Sequence, residues 1–262
     1  MRVKAIVVGM GMAALAISAY AENYNRVSVG YQAMFLGRST SYDTNLTLLA
    51  DELGASVSEL EKSLEYNFNI FNQRNPIPSD LPTLSGFTID YRHGFQLSNR
   101  PMFVEAGLGL SYGTGSKTFM DYKYSISSFN IKIPVNFVYR FTINSEFSIQ
   151  PYTGINFKFN GTMSYKAGKN SYNLFNTIEN DFGIADDVKD VMTYSGGGRR
   201  VQMGWQIGIG VNWNKWYAGM EYGIDFMPAF KNEVNLEEDG WYFSYITKIN
   251  SQHFSINVGY SF

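Results

Sequence analysis

Apolar and polar residues alternate along most of this chain. At its end, Ile256, Val258, Tyr260 and Phe262 occupy every second position, with Asn257, Gly259 and Ser261 between them. A two-residue period is that of a β-strand with two unlike faces. Seven further runs alternate in the same way, so the sequence predicts eight strands, at about residues 26–37, 84–97, 101–113, 122–141, 146–166, 200–213, 215–227 and 241–262. The alternation is broken over 241–250, which predicts a β-bulge there.

The connections between the predicted strands alternate in length. Three are tight, at residues 98–100, 143–145 and 214, and the others are long, at about 38–83, 114–121, 167–199 and 228–240. Short turns at one end, long loops at the other and an even number of strands are typical of barrels in the bacterial outer membrane.

A soluble sandwich or lipocalin-like barrel also alternates, but its bulky apolar face lies inside. Here the polar faces carry many glycines, which suit a crowded barrel interior, and the apolar faces carry aromatic residues near the strand ends, where lipid headgroups lie. The pattern favours an all-β, antiparallel up-and-down transmembrane barrel with periplasmic turns and extracellular loops. The residues predicted to face lipid at the periplasmic rim are Trp213, Trp216, Tyr260 and Phe262.

The N-terminus has the pattern of a secretory signal peptide. Arg2 and Lys4 precede an apolar run over residues 5–17, and Ala19-Tyr20-Ala21 fits the small-x-small cleavage rule. The apolar run is too short for a membrane-spanning helix. We therefore expect residues 1–21 to be removed and residues 22–262 to form one barrel domain in the outer membrane.

Composition excludes several classes of function. The chain has no cysteine, which excludes a disulfide framework and a thiolate metal site. Its net charge of −2 gives no basic surface for nucleic acid. No glycine-rich phosphate loop or cluster of metal ligands is present, so no cofactor or metal is expected. Asp186, Asp187 and Asp190 lack the spacing of a calcium loop and are expected to form a solvated acidic face.

The architecture resembles the outer-membrane β-barrel domain family that includes the small OmpA/OmpX-type proteins. The features that carry the resemblance are the signal peptide, the eight amphipathic strands, the unequal turns and the alternate aromatics that end on Phe262. The last of these is similar to the signal that such proteins present to the barrel insertion machinery, with Asn257 where a glycine is expected. The resemblance covers nearly all of the mature chain and implies a monomeric protein embedded in outer-membrane lipid. It supplies no catalytic motif.

The inward faces of the predicted strands carry four acids and four bases. An eight-stranded barrel is just wide enough for its own side chains, and charges removed from water need partners. The turn positions set Arg92 opposite Glu105, and Gln206 opposite Glu221. The sequence thus predicts a salt-bridged core that fills the lumen, and a narrow or gated polar pathway is the alternative. The eight residues are Asp90, Arg92, Glu105, Lys132, Arg140, Lys158, Glu221 and Asp225.

An enzyme that modifies lipid A would need a histidine and a serine near the outer leaflet. The chain has two histidines that could serve in this way. His93 is expected to face lipid at the periplasmic rim. His253-Phe254-Ser255 is similar to the His-x-Ser spacing of lipid A deacylase, but both side chains are predicted to face the lumen and no acid follows to orient the histidine. We therefore predict that the protein is not an enzyme.

The first long loop has helical patterns. Leu46, Leu49 and Leu53 share one face of a helix that Gly54 can end, and Ser56-Val57-Ser58-Glu59 predicts a capping box for a second helix. These helices either cap the barrel mouth or present a contact surface.

The fourth and fifth strands exceed the 9–11 residues that span a membrane. Tyr122, Tyr124 and Tyr165 are therefore predicted to be exposed contact residues on a projecting ribbon. The sequence favours a structural and surface-interaction protein, for adhesion or binding, whose loops contact an extracellular protein or glycan. A small gated porin-like diffusion channel is the alternative.

Overall fold

The computed structural model describes residues 23–63, 81–97, 100–119, 122–167, 170–173, 192–238 and 241–262. The predicted signal peptide lies outside these residues. The described strands are β1 Tyr24–Asn45, β2 Leu84–Gln96, β3 Met102–Phe119, β4 Tyr122–Tyr139, β5 Phe141–Thr142, β6 Phe147–Ala167, β7 Asn170–Asn173, β8 Met192–Gly198, β9 Val201–Trp213, β10 Trp216–Asp225, β11 Phe230–Glu238 and β12 Trp241–Ser261.

The sheet closes on itself. Hydrogen-bonded neighbours follow the order β1-β2-β3-β4-β6-β9-β10-β12, and β12 pairs back onto β1 from Arg26↔Ser261 to Asn45↔Tyr242. All the pairings are antiparallel, so the predicted all-β antiparallel barrel is confirmed. The sequence pattern placed β8 and β11 in loops. Instead, β11 pairs with residues 241–249 of β12 and β8 pairs with β11, so these two segments continue the wall above β10 and β9, while β5 and β7 pair with β6.

Apolar side chains face outward and polar side chains face inward. Val29 is 51% exposed, whereas the neighbouring Ser28 is 4% exposed, and the other strands repeat this contrast. A water-soluble barrel has the opposite arrangement, because the hydrophobic effect drives apolar area out of water. This inside-out pattern is typical of barrels that are surrounded by lipid. The two faces are those predicted from the sequence.

The start of β1, the C-terminal residue and the tight connections share one end of the barrel, here called the turn end. Asn25 and Phe262 exchange two backbone hydrogen bonds of 3.0 and 2.9 Å. Trp213 pairs with Trp216 across a two-residue turn in which Asn214 has a φ of 53°, a conformation that asparagine tolerates better than most residues. The opposite end, here called the loop end, carries the long connections.

The predicted bulge in β12 is wrong. Residues 241–249 pair with β1 and with β11 in an unshifted register, and Phe243, Tyr245, Thr247 and Ile249 face inward and are buried. The apparent break in the sequence arose because the inward positions change from polar to apolar toward the loop end. The irregularity lies between β4 and β6, where Gly161 is the extra residue between the pairs Phe129↔Thr162 and Asn130↔Asn160.

The first long loop contains helix α1, Thr47–Leu53, and residues 57–63 are helical as well. Gly54 ends α1 in the left-handed conformation, with a φ of 62°. Leu46 is buried with Phe243 and Tyr245, which face inward from β12, so the start of α1 lies against the barrel mouth. The predicted leucine face is divided, because Leu53 is exposed. In the described part of the chain, no helix is both long and apolar enough to cross a membrane.

Candidate functional site in the barrel interior

Glu105 is the most densely bonded acid of the barrel interior. Its Oε2 accepts hydrogen bonds from Arg26 Nη2 at 2.5 Å and Tyr24 Oη at 2.8 Å. Its Oε1 accepts from Arg92 Nη1 at 3.2 Å and Asn136 Nδ2 at 3.1 Å. These groups come from β1, β2, β3 and β4, so one carboxylate ties together four strands of the wall.

Arg92 connects Glu105 to a second carboxylate. Its Nη2 donates to Glu221 Oε2 at 2.7 Å, and Tyr152 Oη donates to the same oxygen at 3.1 Å. The other carboxylate oxygen of Glu221 lies 3.6 Å from His253 Nε2. Arg26, Glu105, Arg92 and Glu221 therefore form a buried chain of alternating charges, which we call the ionic core. Such a chain meets the requirement that charges out of water be paired.

A second group of polar residues lies further toward the loop end. Lys158 forms an ion pair with Asp225, and Ser251 Oγ donates to Asp225 Oδ2 at 2.6 Å. Lys132 Nζ donates to Gln32 Oε1 at 2.7 Å.

Seven of the eight predicted lumen residues are buried, including Asp90, whose Oδ2 accepts from Thr88 Oγ1 at 2.9 Å. The exception is Arg140, which is half-buried at the turn end, where its guanidinium lies 4.3 Å from the Phe103 ring centroid and 5.0 Å from that of Tyr24.

The predicted register needs correction. Arg92 lies opposite Gly107, and Glu105 lies opposite Gly94, two residues from the predicted pairing. The two side chains still meet because a long arginine reaches a diagonal neighbour. Likewise, Glu221 lies opposite Gly208 rather than Gln206, because Trp213 pairs with Trp216 across a turn of Asn214 and Lys215.

Sequence reasoning missed Arg26, Tyr24 and Tyr217. Arg26 lies two residues before Ser28 and so belongs to the same inward face, which the alternation in the sequence could have revealed. It was overlooked because it stands at the end of the predicted strand. His253 and Ser255 were correctly placed in the lumen, and both are buried. No acid follows His253 in the sequence, but Glu221 on the adjacent strand brings a carboxylate oxygen to within 3.6 Å of its Nε2.

Inward glycines make room for inward tyrosines. A Cβ atom on Gly208 would lie 2.2 Å from the ring of Tyr152, and one on Gly219 would lie 2.2 Å from Tyr217 Oη. No side chain tolerates such distances. The Tyr217 ring in turn supports Arg26, whose guanidinium carbon lies 3.8 Å from the ring centroid.

Apolar layers lie on both sides of the polar interior. At the turn end, Phe103, Val138 and Tyr152 are buried together. Toward the loop end, a larger cluster draws on strands all around the barrel: Met34, Leu84, Tyr124, Ile126, Met163, Ala229, Phe230 and Ile249. We call it the upper apolar layer. Leu46, Phe243 and Tyr245 form a further cluster beyond it.

The structure places the predicted aromatic rim and one of the three predicted contact tyrosines. Trp213, Trp216, Tyr260 and Phe262 are exposed at the turn end, where Trp216 and Tyr260 meet edge to face at 5.6 Å. Tyr124 was predicted to be an exposed contact residue, but it is 3% exposed. It faces inward because every second residue of β4 does so even where the strand rises toward the loop end. The side chains of Tyr122 and Tyr165 lie outside the described residues, as do Asp186, Asp187 and Asp190.

His93 lies at the turn end, as predicted. Its Nδ1 is 2.8 Å from Asn25 Oδ1, and its ring packs edge to face on Phe95. These contacts account for the residue without a catalytic role.

Comparison with known proteins gives structural likeness alone. No protein-family model matches the sequence, and no curated protein is significantly similar. The attachment invasion locus protein Ail of Yersinia pestis, solved with the heparin analogue sucrose octasulfate, is 12% identical, with 92% of this chain and 99% of Ail covered and a TM-score of 0.37. Neisserial surface protein A is 10% identical, with 93% and 99% covered and a TM-score of 0.35. Outer membrane protein AlkL is 10% identical, with 94% and 92% covered and a TM-score of 0.36.

These neighbours are small outer-membrane β-barrel proteins, the class predicted from the sequence. The similarity is low, so the description of the fold rests on the strand pairing itself.

Proposed function

We propose that this protein is an outer-membrane barrel with a sealed lumen, which acts at the cell surface through its loop end as a structural and binding protein. The observation that supports the proposal is the order in which layers of side chains follow one another along the barrel axis. A solute entering from the turn end meets the layer around Phe103, then the ionic core, then the upper apolar layer. Eight-stranded barrels generally lack an open pore for the same steric reason.

The height of the wall supports a role outside the membrane. A strand that rises about 3.4 Å per residue and tilts by about 40° gains about 2.6 Å of height per residue. From Val27 to Asn45, β1 gains on the order of 45 Å, against an apolar band of about 25 Å. About 20 Å of paired strand therefore stands beyond the membrane and holds the loops on a rigid support.

The first loop is the segment we assign to ligand contact. Both helical segments of this loop pack on the mouth, through Leu46, Leu49, Val57 and Leu60, and this holds the exposed surface around Leu53, which is 62% exposed, in a fixed position. The ligand we propose is an extracellular protein or glycan.

The test replaces residues 47–80 with a short Gly/Ser linker, which leaves β1 and Leu46 intact. Cells displaying the variant should lose binding to host-cell matrix while the barrel keeps its heat-modifiable mobility on gels. A matched control replaces residues 174–191. Full binding by the first variant would contradict the assignment to the first loop.

A small diffusion channel is the second candidate. Its support is the polar middle of the lumen, where both side-chain amide atoms of Asn156 and Asp225 Oδ1 have no hydrogen-bond partner among the described residues. Opening such a path would require both apolar layers to separate. Conductance distinguishes the two candidates.

A further inference from the structure

Two lysines lie directly opposite each other on the outer face of the barrel. Lys231 on β11 pairs with Lys248 on β12. Their chain neighbours Phe230, Thr247 and Ile249 are buried, so both lysines point away from the interior. Like charges at directly opposite positions destabilise a sheet. A negative charge in addition to the Glu233 carboxylate, which pairs with Lys231, would relieve the remaining repulsion.

The charges around the pair are mostly positive. Lys231 forms an ion pair with Glu233, whereas the ion pairs of the described residues include none to Lys248. Arg199 and Arg200 are exposed at the break between β8 and β9, and Arg199 N donates to Ala229 O at 2.8 Å beside the start of β11. Arg199, Lys231 and Lys248 form what we call the basic patch.

The basic patch lies at the height of the lipid headgroups. Lys248 stands twelve residues along β12 from Tyr260, which is part of the aromatic rim at the turn end. At about 2.6 Å per residue this separation is about 31 Å, just beyond an apolar band of about 25 Å. Phe226, 60% exposed at the end of β10, marks the edge of the apolar face on the adjacent strand.

Other exposed lysines stand much higher. Lys123 lies sixteen residues along β4 from Tyr139, or about 42 Å on the same scale, and Lys166 is on the neighbouring strand near it. Both are exposed on the outer face. They are therefore expected to lie about 11 Å above the level of Lys248, in water.

We propose that the basic patch binds the phosphate groups of a phosphorylated glycolipid of the outer leaflet, of which lipid A is the representative. The proposal rests on the outer-membrane placement proposed above. A phosphate between Lys231 and Lys248 accepts charge-assisted hydrogen bonds from both and removes their repulsion. Acyl chains of the same lipid lie against the apolar face below. A soluble sulfated glycan has the charge of this ligand but no acyl chains, and the test separates the two.

The experiment compares the wild type with Lys231→Gln/Lys248→Gln and with the matched control Lys123→Gln/Lys166→Gln. Each protein is refolded in non-ionic detergent, checked for heat-modifiable mobility and titrated with bisphosphorylated lipid A in native mass spectrometry. The patch variant should bind about 30-fold more weakly, as expected for two charges removed near an anionic surface, and the control should stay within about twofold. Dephosphorylated lipid A should bind all three proteins weakly and equally.

Unchanged lipid A affinity in the patch variant would overturn the proposal. Binding of a heparin fragment through these lysines, without lipid A binding, would overturn it as well. The loop replacement described above leaves Lys231 and Lys248 in place, so failure of the surface-binding role and failure of the lipid site are read separately.

Discussion

Glu105 accepts hydrogen bonds from four side chains, and its replacement by glutamine tests the ionic core with little change in volume. In the wild type, two guanidinium groups face Glu105 and Glu221, so the charges balance. Glu105→Gln leaves Arg26 without a carboxylate partner in a buried site. Removing one partner of a buried ion pair typically costs about 3–5 kcal/mol, because the remaining charge is desolvated without compensation.

The assay is equilibrium urea unfolding of the protein in lipid vesicles, followed by tryptophan fluorescence. Glu233→Gln is the control, since it breaks the more exposed pair with Lys231, and such pairs contribute about 0–1 kcal/mol. A loss of less than about 1 kcal/mol in Glu105→Gln would refute the assignment of Glu105 as the centre of a desolvated network.

A second substitution separates charge from packing. The double variant carries Arg26→Met in addition to Glu105→Gln. It no longer has the unpaired cation of Arg26, and it keeps the Arg92–Glu221 pair intact. The double variant should be more stable than the sum of the two single changes predicts, because the two residues are coupled. Simple additivity would indicate that the pair contributes through shape alone.

Three further outcomes are expected. Gly208→Val should abolish the heat-modifiable folded form, because its Cβ would lie 2.2 Å from the Tyr152 ring, whereas Gly37→Val should fold, because that position has open space. Ser56→Ala should raise the pKa of Glu59 toward its ordinary value in an NMR titration, because hydrogen bonds from the Ser56 hydroxyl and backbone amide hold that pKa low; an unchanged pKa would contradict the capping box. In the wild type, Glu59 should stabilise helix 57–63 at pH values above its unfolded-state pKa, and this stabilisation should be lost as the pH falls through the lower folded-state pKa. Amide hydrogen exchange in this helix measures the change, and protection that does not depend on pH would contradict the prediction.

The sequence predicted the faces of the barrel because a two-residue period leaves little freedom: Val29 outward fixes Ser28 inward. It predicted three of the four members of the ionic core for the same reason, since Arg92, Glu105 and Glu221 all occupy inward-facing positions of their strands. Partners were harder to predict. One residue more or less in a turn, as at Asn214-Lys215, shifts every cross-strand neighbour, and the reach of an arginine then decides which pairs meet.

The sequence could not show where the side chains that line the interior change from polar to apolar. Phe230 and Ile249 are apolar yet face inward, because they pack on residues from distant strands such as Leu84 and Met163. Only closure of the barrel brings these residues together. The placement of Tyr124 was wrong for a different reason: the alternation in β4 puts this residue on the inward face, but the prediction treated the upper part of the strand as an exposed ribbon.

Planar-bilayer conductance of the refolded protein tests the sealed lumen most directly. The sample is first shown to be folded by its heat-modifiable mobility, and a large open porin in the same chamber confirms that single channels are detected. Silence at high salt is the predicted result. Steady, reproducible openings would contradict the account, and replacing Glu105 or Glu221 should then change the ion selectivity of the path.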